Sequence, residues 1–332
     1  MKRNTTIDLL RGIATVAMIL IHTSYYFIGN DKLALFIWNW SQFAVPMFLF
    51  CAGYVFFLKT SNLIASKATI AIQQFYNYLR KRLPRLLVPY YIFLIFFLIV
   101  VLLTTPAKLT LNYFWQSIFL IGGVDINWLV LLMLELAILM PIILWLKTKY
   151  PLIFKLYIFF AILFSILIMF FPLSDLHWKL EIENWKLIQW FPWSLVEIAA
   201  IYFLPESKLI QRKILWLLSL IIFFVVYFVL IANHHDVSFI NNKYPPDLLI
   251  LSYGISAIGI LYWAAQKNFF QKFSSFLSFI SQHSYSIYFI HYCLLIYFAT
   301  WLNKIHTTWY LFFLIVFLPT LFIQYTWGKS RS

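Results

Sequence analysis

Long apolar runs separated by short polar stretches dominate this chain of 332 residues. Several runs exceed the about 18 residues that an α-helix needs to cross a bilayer. Continuous apolar blocks favour helices over a membrane β-barrel, whose strands are shorter and alternate between apolar and polar positions. The pattern predicts an all-α polytopic membrane protein with about ten transmembrane helices, near 7–28, 35–57, 86–104, 127–147, 153–171, 188–204, 213–232, 248–266, 280–302 and 308–327.

Composition supports this prediction and excludes an ordinary soluble protein. Hydrophobic residues make up 63% of the chain and charged residues only 11%. The sequence shows no internal repeat and no linker, and the predicted outer loops are too short to form a separate catalytic domain. We therefore expect one integral-membrane domain over 1–332, with no extracytoplasmic catalytic domain. The apolar stretch 110–122 is too short for a confident span and is interpreted as an interfacial or re-entrant helix.

The net charge of +14 is interpreted as a topology signal. On a soluble domain it would suggest nucleic-acid binding, but cytoplasmic loops of membrane proteins are enriched in Lys and Arg. With ten spans and the N-terminus inside, eighteen of the 25 Lys and Arg residues fall on the cytoplasmic side and six outside, with Arg11 in the membrane. Both termini are therefore predicted to be cytoplasmic. The first apolar stretch is read as a retained helix and not a signal peptide, because it carries Arg11 and His22.

The first predicted span carries polar side chains on one face. Eleven residues separate Arg11 from His22, which places both on the same side of a helix and about 16 Å apart along its axis. Asp8 and Thr15 follow on that face. A charge within a membrane helix is costly and normally faces the bundle interior or a wet cavity. The face is either a structural Asp8–Arg11 pair with a packed histidine, or a functional site.

A basic cluster ends the first predicted inside loop, just before the third span. It contains Arg80, Lys81, Arg82 and Arg85, with Pro84 between the last two. Such clusters commonly anchor topology and attract anionic lipid. Alternatively, the guanidinium groups form a phosphate clamp, because their planar fork binds phosphate oxygens bidentately. Sequence alone leaves both interpretations open.

Further polar or conformationally special residues lie within the other predicted spans. Pro46 and Gly53 in the second span are expected to kink the helix or to permit close approach of a neighbour. Glu135 and Glu197 are ionisable residues inside spans and are therefore site candidates. Trp128, at the start of the fourth span, is by itself most simply an aromatic residue of the membrane interface.

One helical face near the C-terminus combines a hydroxyl, a phenol and an imidazole. Ser284, Tyr288 and His291 follow the spacing i, i+4, i+7. A polar stripe of this kind either joins helices by hydrogen bonds or contributes to a site. His177 and the run 234–236 (His-His-Asp) lack a regular ligand spacing, so no metal site is predicted.

Taken together, these segments resemble the membrane-bound acyltransferase 3 family over nearly the whole chain. The resemblance rests on five motifs in family order. The position before Gly53, often serine in that family, is Ala52 here, so no hydroxyl role is expected there. The motifs are Arg11-x10-His22, Val45-Pro46-Met47-Phe48 running to Gly53-Tyr54, Arg82-Leu-Pro-Arg85 leading to Pro89-Tyr90, Asn127-Trp128-Leu129, and Ser284-Tyr285-Ser286-Ile287-Tyr288 running to His291.

The resemblance implies an O-acyltransferase in the plasma membrane of a bacterium. Its expected donor is cytoplasmic acyl-CoA, with acetyl-CoA foremost, and its expected acceptor is a hydroxyl of a cell-surface glycan or lipid-linked saccharide. His22 would act as general base or as transient acyl carrier. The implied site residues are His22, Arg11, Glu135 and His291 for catalysis, Arg80, Arg82, Arg85 and Tyr90 for the donor, and Trp128, Tyr288 and Ser284 for the substrate.

Two other functional classes remain open at the level of sequence. A polysaccharide exporter or flippase without acyl transfer would share this topology, although transporters are commonly built from paired repeats with broken helices, which this sequence does not show. A non-catalytic scaffold would tolerate the substitution His22→Ala without loss of glycan acylation.

Overall fold

The computed structural model of the chain describes residues 4–65, 72–170, 188–205, 207–267, 269–300, 302 and 307–329. Over these residues the regular structure is helical, with no strand. This confirms the predicted all-α class. The helices are α1 (Thr5–Ser24), α2 (Lys32–Trp40), α3 (Ala44–Ala65), α4 (Ile72–Thr104), α5 (Leu111–Ile118), α6 (Asn127–Lys149), α7 (Pro151–Phe170), α8 (Trp190–Ala199), α9 (Leu209–Ala232), α10 (Leu248–Gln266), α11 (Ser274–Gln282), α12 (Ser284–Ala299) and α13 (Trp309–Lys329).

Eight helical segments within the described residues are long and apolar enough to cross a membrane. They match eight of the ten predicted spans. The other two predictions, near 188–204 and 280–302, coincide with the shorter apolar helices Trp190–Phe203 and Ser284–Ala299. The protein is thus an all-α polytopic membrane protein, and the count of ten spans stays a prediction.

Two predicted spans are not single helices. The span predicted over 35–57 is divided by a turn at 41–43, and the span predicted over 280–302 is divided at His283, between α11 and α12. Neither break contains Pro or Gly, the usual sequence signals of a helix end; each is marked only by a few polar residues, Ser41-Gln42 and Ser281-Gln282-His283-Ser284, within a long apolar run. The hydrophobic pattern alone therefore could not locate them.

The basic cluster lies within a helix, not at the end of a loop as the sequence suggested. Helix α4 begins at Ile72 and continues through Pro84 and Pro89. A proline removes one backbone hydrogen bond, but membrane helices tolerate it where local adjustments satisfy the freed groups. A short helix lies within 110–122, as α5, whose first turn is capped by the hydroxyl of Thr110, and its interfacial or re-entrant placement stays a prediction.

The chain forms two compact units. The first contains residues 1–45, 87–127 and 261–332. Within it, α1 packs against α2, α11, α12 and α13. Gly12 makes the close approach to α11 possible, because a Cβ atom there would lie 3.0 Å from the carbonyl carbon of Leu277 and closer still to its oxygen.

The second unit contains residues 46–86 and 128–260. Its helix α3 passes tightly over α8, because a Cβ atom on Gly53 would lie 2.6 Å from the carbonyl oxygen of Glu197. Pro46 similarly lies against Gly254 of α10. The contact at Gly53 confirms that this residue permits close helix packing, as predicted from the sequence, whereas at Pro46 the room is provided by Gly254.

Candidate active site

Two histidines that are 269 residues apart in the sequence meet in the first unit. His22 lies in the last turn of α1 and His291 lies in the middle of α12. The Nδ1 atom of His22 is 2.8 Å from the Nε2 atom of His291. The ring planes are within 1° of parallel and the ring centres are 5.1 Å apart, as for rings lying end to end in one plane. The two imidazoles are therefore joined by a short, in-plane hydrogen bond.

The protonation pattern of this pair follows from the second hydrogen bond of His291. The Nδ1 atom of His291 lies 3.0 Å from the carbonyl oxygen of Ile287, which can only accept, so Nδ1 carries the proton. In a neutral His291 the Nε2 atom is then an acceptor, and His22 must donate from Nδ1. This assignment leaves the lone pair of His22 on Nε2, the form required of a base or a nucleophile.

His22 and His291 differ in their exposure. His291 is fully buried, whereas His22 is half-buried. The geometry gives the two predicted residues distinct roles: His22 is the candidate reactive imidazole, and His291 fixes its ring orientation and tautomer.

Two tyrosines on the same face of α12 connect the histidine pair to the segment 124–127. Tyr288 donates a hydrogen bond of 2.8 Å to the carbonyl oxygen of Ile126. Tyr292 donates one of 3.1 Å to the carboxylate of Asp125, and its ring centre is 5.8 Å from that of His22. The hydroxyl proton of Tyr288 is used in the hydrogen bond to Ile126, and this bond holds the segment 124–127 in place.

Tyr292 and Asp125 were not among the residues singled out from the sequence. Tyr292 directly follows His291 and lies one turn beyond Tyr288, so helical periodicity could have included it. Asp125 precedes the Asn-Trp-Leu motif by two residues, but only the folded chain shows that its carboxylate meets Tyr292.

The other polar residues of α1 have different surroundings. Asp8 is buried and accepts a hydrogen bond of 3.2 Å from the hydroxyl of Ser281 in α11. Arg11 is half-buried, and its carbonyl oxygen accepts from the hydroxyl of Thr15 at 2.8 Å. Asp8 thus helps to join α1 to α11, and a catalytic role of Arg11 stays a prediction.

The predicted donor-binding arginines lie on the N-terminal half of α4, in the second unit. Arg80 and Arg85 are exposed, whereas Arg82 is half-buried and lies close enough to the carboxyl group of Glu197 for an electrostatic interaction. Glu197 is only 4% exposed, so this cation lies near a deeply buried carboxyl group. Arg80 and Arg85 are thus the exposed arginines of this cluster.

Tyr90 belongs to the first unit and is fully buried. Its hydroxyl donates a hydrogen bond of 2.5 Å to the carbonyl oxygen of Ser117, which fastens α4 to the end of α5. This hydrogen bond gives Tyr90 a structural role, and its contact with the donor stays a prediction.

Trp128, a predicted substrate-binding residue, lies beside a buried lysine in the second unit. The rings of Trp128 and Tyr244 meet edge to face, with centres 4.8 Å apart. The Nζ atom of Lys243 is 5.4 Å from the centre of the first ring and 5.2 Å from that of the second. Burial lowers the pKa of Lys243 to about 7, and it raises the pKa of the nearby loop residue Asp247 to about 8.

The remaining predicted residues are placed as follows. Glu135 lies within α6, where its buried Oε2 atom has no hydrogen-bond partner among the described residues. Ser284 is the first residue of α12 and is half-buried. His177 lies outside the described residues. Within the described part of the chain, no group of three or more His, Cys, Asp or Glu side chains could hold a metal ion.

Comparison with known proteins assigns the chain to a family. The model of the acyltransferase 3 family, described as an acyltransferase domain, matches residues 4–326. No curated protein and no solved structure matched the chain in the corresponding searches. The family match spans nearly the whole chain and includes the histidine pair, the tyrosines of α12 and the basic part of α4. The protein is therefore a membrane acyltransferase and belongs to the acyltransferase 3 family.

Proposed function

We propose that the protein transfers an acyl group, foremost acetyl, from acyl-CoA to a hydroxyl group of a cell-surface glycan or lipid-linked saccharide. The observation that carries this proposal is the hydrogen-bonded chain from His22 through His291 to the carbonyl of Ile287. It places the lone pair of His22 on Nε2, the tautomer that a general base or a nucleophile requires. The proposed location is the plasma membrane of a bacterium.

In the general-base route, Nε2 of His22 removes the proton from the acceptor hydroxyl as its oxygen attacks the thioester carbonyl carbon. The C–S bond then breaks, and the proton passes from His22 to the leaving sulfur, which gives free CoA and an ester. The positive charge on His22 during the step is stabilised because Nδ1–H donates to Nε2 of His291.

In the covalent route, the same Nε2 atom attacks the thioester carbonyl carbon, the C–S bond breaks, and CoA leaves as a thiolate from an acyl-imidazolium. The acceptor hydroxyl then attacks the acyl carbon, the N–C bond breaks to give the ester and neutral His22, and the hydroxyl proton passes to the CoA thiolate. One difficult step is thus divided into two easier ones. The tautomer of His22 serves both routes. Quenching a reaction with radiolabelled acyl-CoA after a short time distinguishes the two routes. Only the covalent route leaves label bound to the wild-type protein and none on His22→Ala.

The proposed donor contacts are the exposed arginines at the start of α4. CoA carries phosphate groups, and guanidinium groups bind phosphate oxygens through paired, charge-assisted hydrogen bonds. Arg85 and Arg80 are exposed on α4 and available for such contacts. Arg82 would contribute positive charge from its half-buried position near Glu197.

The test uses purified protein in liposomes with radiolabelled acetyl-CoA and a mixture of saccharide acceptors. We expect label in the saccharide fraction for the wild type, and a loss of about 10²–10⁴-fold for His22→Ala, the usual contribution of a general base. If no label leaves CoA while saccharide crosses the liposome membrane, the protein is an exporter and the enzymatic proposal fails. Unchanged transfer by His22→Ala would instead overturn the role of His22.

A further inference from the structure

An exposed carboxylate lies beside the proposed reactive histidine. Asp125 is exposed, and its Oδ2 atom accepts a hydrogen bond from the hydroxyl of Tyr292. The Tyr292 side chain is 5% exposed and contacts His22 edge to face. A single buried phenol therefore touches both the imidazole and the carboxylate.

The backbone fixes the position of Asp125. Its neighbours Val124, Ile126 and Asn127 are buried, and only the side chain of Asp125 faces outward. The carbonyl oxygen of Ile126 accepts from Tyr288, one helical turn before Tyr292 on α12. The amide of Asn127 donates to the carbonyl of Gly122, which closes the turn before α6. An exposed side chain on such a strongly held backbone is suited to binding a ligand in a defined orientation.

Aromatic side chains surround this carboxylate. Besides Tyr292, the phenols of Tyr26 and Tyr113 lie within electrostatic range of Asp125. Tyr26 is 39% exposed and Tyr113 is half-buried. Burial, and secondarily the Asp125 charge, raise the pKa of Tyr113 to about 12, so this phenol is protonated at neutral pH. The cluster combines one negative charge, neutral hydroxyl groups and apolar ring faces.

This combination suits hydroxyl-rich, uncharged molecules. A carboxylate has two oxygens and about four acceptor sites, and Tyr292 uses one of them. Sugar hydroxyls can donate to the others, and the ring faces can pack against the C–H faces of a sugar. An acceptor that carries its own carboxylate or phosphate close to the reacting hydroxyl would be repelled.

Building on the proposed function, we propose that Asp125 binds the acceptor through a hydroxyl group next to the one that is acylated, and thereby selects neutral over anionic saccharides. Tyr292 links this binding carboxylate to His22. The proposal names a residue and a substrate class that the acyl-transfer chemistry alone does not require.

The test compares two probes, methyl glucoside and methyl glucosiduronate, which differ only at C6, where a carboxylate replaces the hydroxymethyl group; transfer is compared at the hydroxyl groups that both probes carry. With acetyl-CoA as donor, we expect Asp125→Asn to raise the KM for methyl glucoside about tenfold, the usual effect of losing a hydrogen bond to a charged group. Its kcat/KM for methyl glucosiduronate should rise about fivefold as the repulsion is removed. The KM for acetyl-CoA should stay within twofold of the wild-type value.

Two further variants separate binding from positioning. Asp236→Asn removes the same charge from another exposed position in the predicted outer loops, and should leave the preference between the two probes unchanged. Tyr292→Phe removes the hydrogen bond to Asp125 but keeps the carboxylate, so it should retain the preference for the neutral probe.

The outcomes that overturn the proposal are distinct. If Asp125→Asn keeps the wild-type preference, or lowers transfer to both probes in equal proportion as Tyr292→Phe does, the carboxylate only positions Tyr292. If the wild type transfers acetyl readily to both probes alike, Asp125 does not select. If the wild type never consumes acetyl-CoA, the proposed function itself fails, and the acceptor role of Asp125 fails with it.

Discussion

The Nδ1 atom of His22 and the Nε2 atom of His291 lie 2.8 Å apart in a common ring plane. We predict that His291→Phe lowers kcat about 10–100-fold with little change in KM, because His22 then loses the acceptor that fixes its tautomer. His291→Gln should recover part of this loss, since its amide oxygen can accept from Nδ1–H. Steady-state acyl transfer, measured on equal amounts of inserted protein, provides the comparison.

A double variant distinguishes this role from a general loss of packing. If the two histidines act as a unit, His22→Ala combined with His291→Phe should be no slower than His22→Ala alone. Multiplied losses would indicate that His291 contributes independently of His22, and would contradict the proposed arrangement.

Much of the fold follows from the sequence, because the hydrophobic pattern reflects the membrane directly. The helical class, the eight long helices and the shared faces of α1 and α12 all follow from apolar runs and helical periodicity. The turn at 41–43 and the break at His283 do not, since they carry no Pro or Gly and only a few polar residues, which membrane helices also contain. Breaks of this kind are decided by packing against other helices, which a local pattern does not contain.

The candidate site is only partly predictable for a similar reason. Sequence motifs identify His22, His291 and Tyr288 separately. Their relative positions depend on contacts between segments more than 160 residues apart, such as the hydrogen bond from Tyr288 to Ile126. Asp125 carries no sequence signal of its own beyond being an acidic residue in a loop. Its contact with Tyr292 exists only in the folded chain.

Gly12 provides a test of the packing between α1 and α11. Gly12 faces the backbone of Leu277, and a Cβ atom added to Gly12 would lie 3.0 Å from the carbonyl carbon of Leu277. Backbone atoms cannot rotate away as a side chain can, so Gly12→Ala should cost about 1–3 kcal/mol or more, the usual range for overpacking. We expect the apparent Tm in detergent to fall by several degrees. Gly29→Ala is the matched control, because no atom lies within 4 Å of its added Cβ, and its Tm should be close to the wild-type value.

Arg85 tests the donor site most cleanly. Its side chain is exposed, whereas Arg82 is half-buried near the carboxyl group of Glu197, so a change at Arg82 would also alter the surroundings of that buried group. Arg85→Gln should raise the KM for acyl-CoA about tenfold or more at unchanged kcat, because one charged hydrogen-bond donor to phosphate is lost. Arg85→Lys should give a smaller increase, since an ammonium group keeps the charge but not the planar fork.

The control for Arg85 is Lys155→Gln, which removes one positive charge from an exposed position on α7, predicted to face the same side of the membrane. Its KM for acyl-CoA should equal that of the wild type. An equal increase in KM for both variants would attribute the effect to overall charge, and the arginine cluster would then be a topology anchor.

Lys243 links stability to pH. It is 3% exposed, and burial lowers its pKa to about 7, against about 10.4 in an unfolded chain. Below pH 7 both states bind the proton, and the folded state carries the cost of burying an ammonium group. Between pH 7 and about 10.4 only the unfolded state holds that proton, so the stability contributed at this position rises with pH.

We therefore predict that Lys243→Met raises the apparent Tm by several degrees at pH 6, and that this advantage shrinks progressively towards pH 10. The contacts of the ammonium group with the rings of Trp128 and Tyr244 favour the charged form by about 0.5–2 kcal/mol, which reduces the gain without reversing it. Thermal unfolding of both proteins across this pH range measures the difference, in which the titration of all shared groups cancels. A constant advantage at pH 6 and pH 10 would show that methionine stabilises through its apolar side chain, and that the ionisation of Lys243 carries no cost.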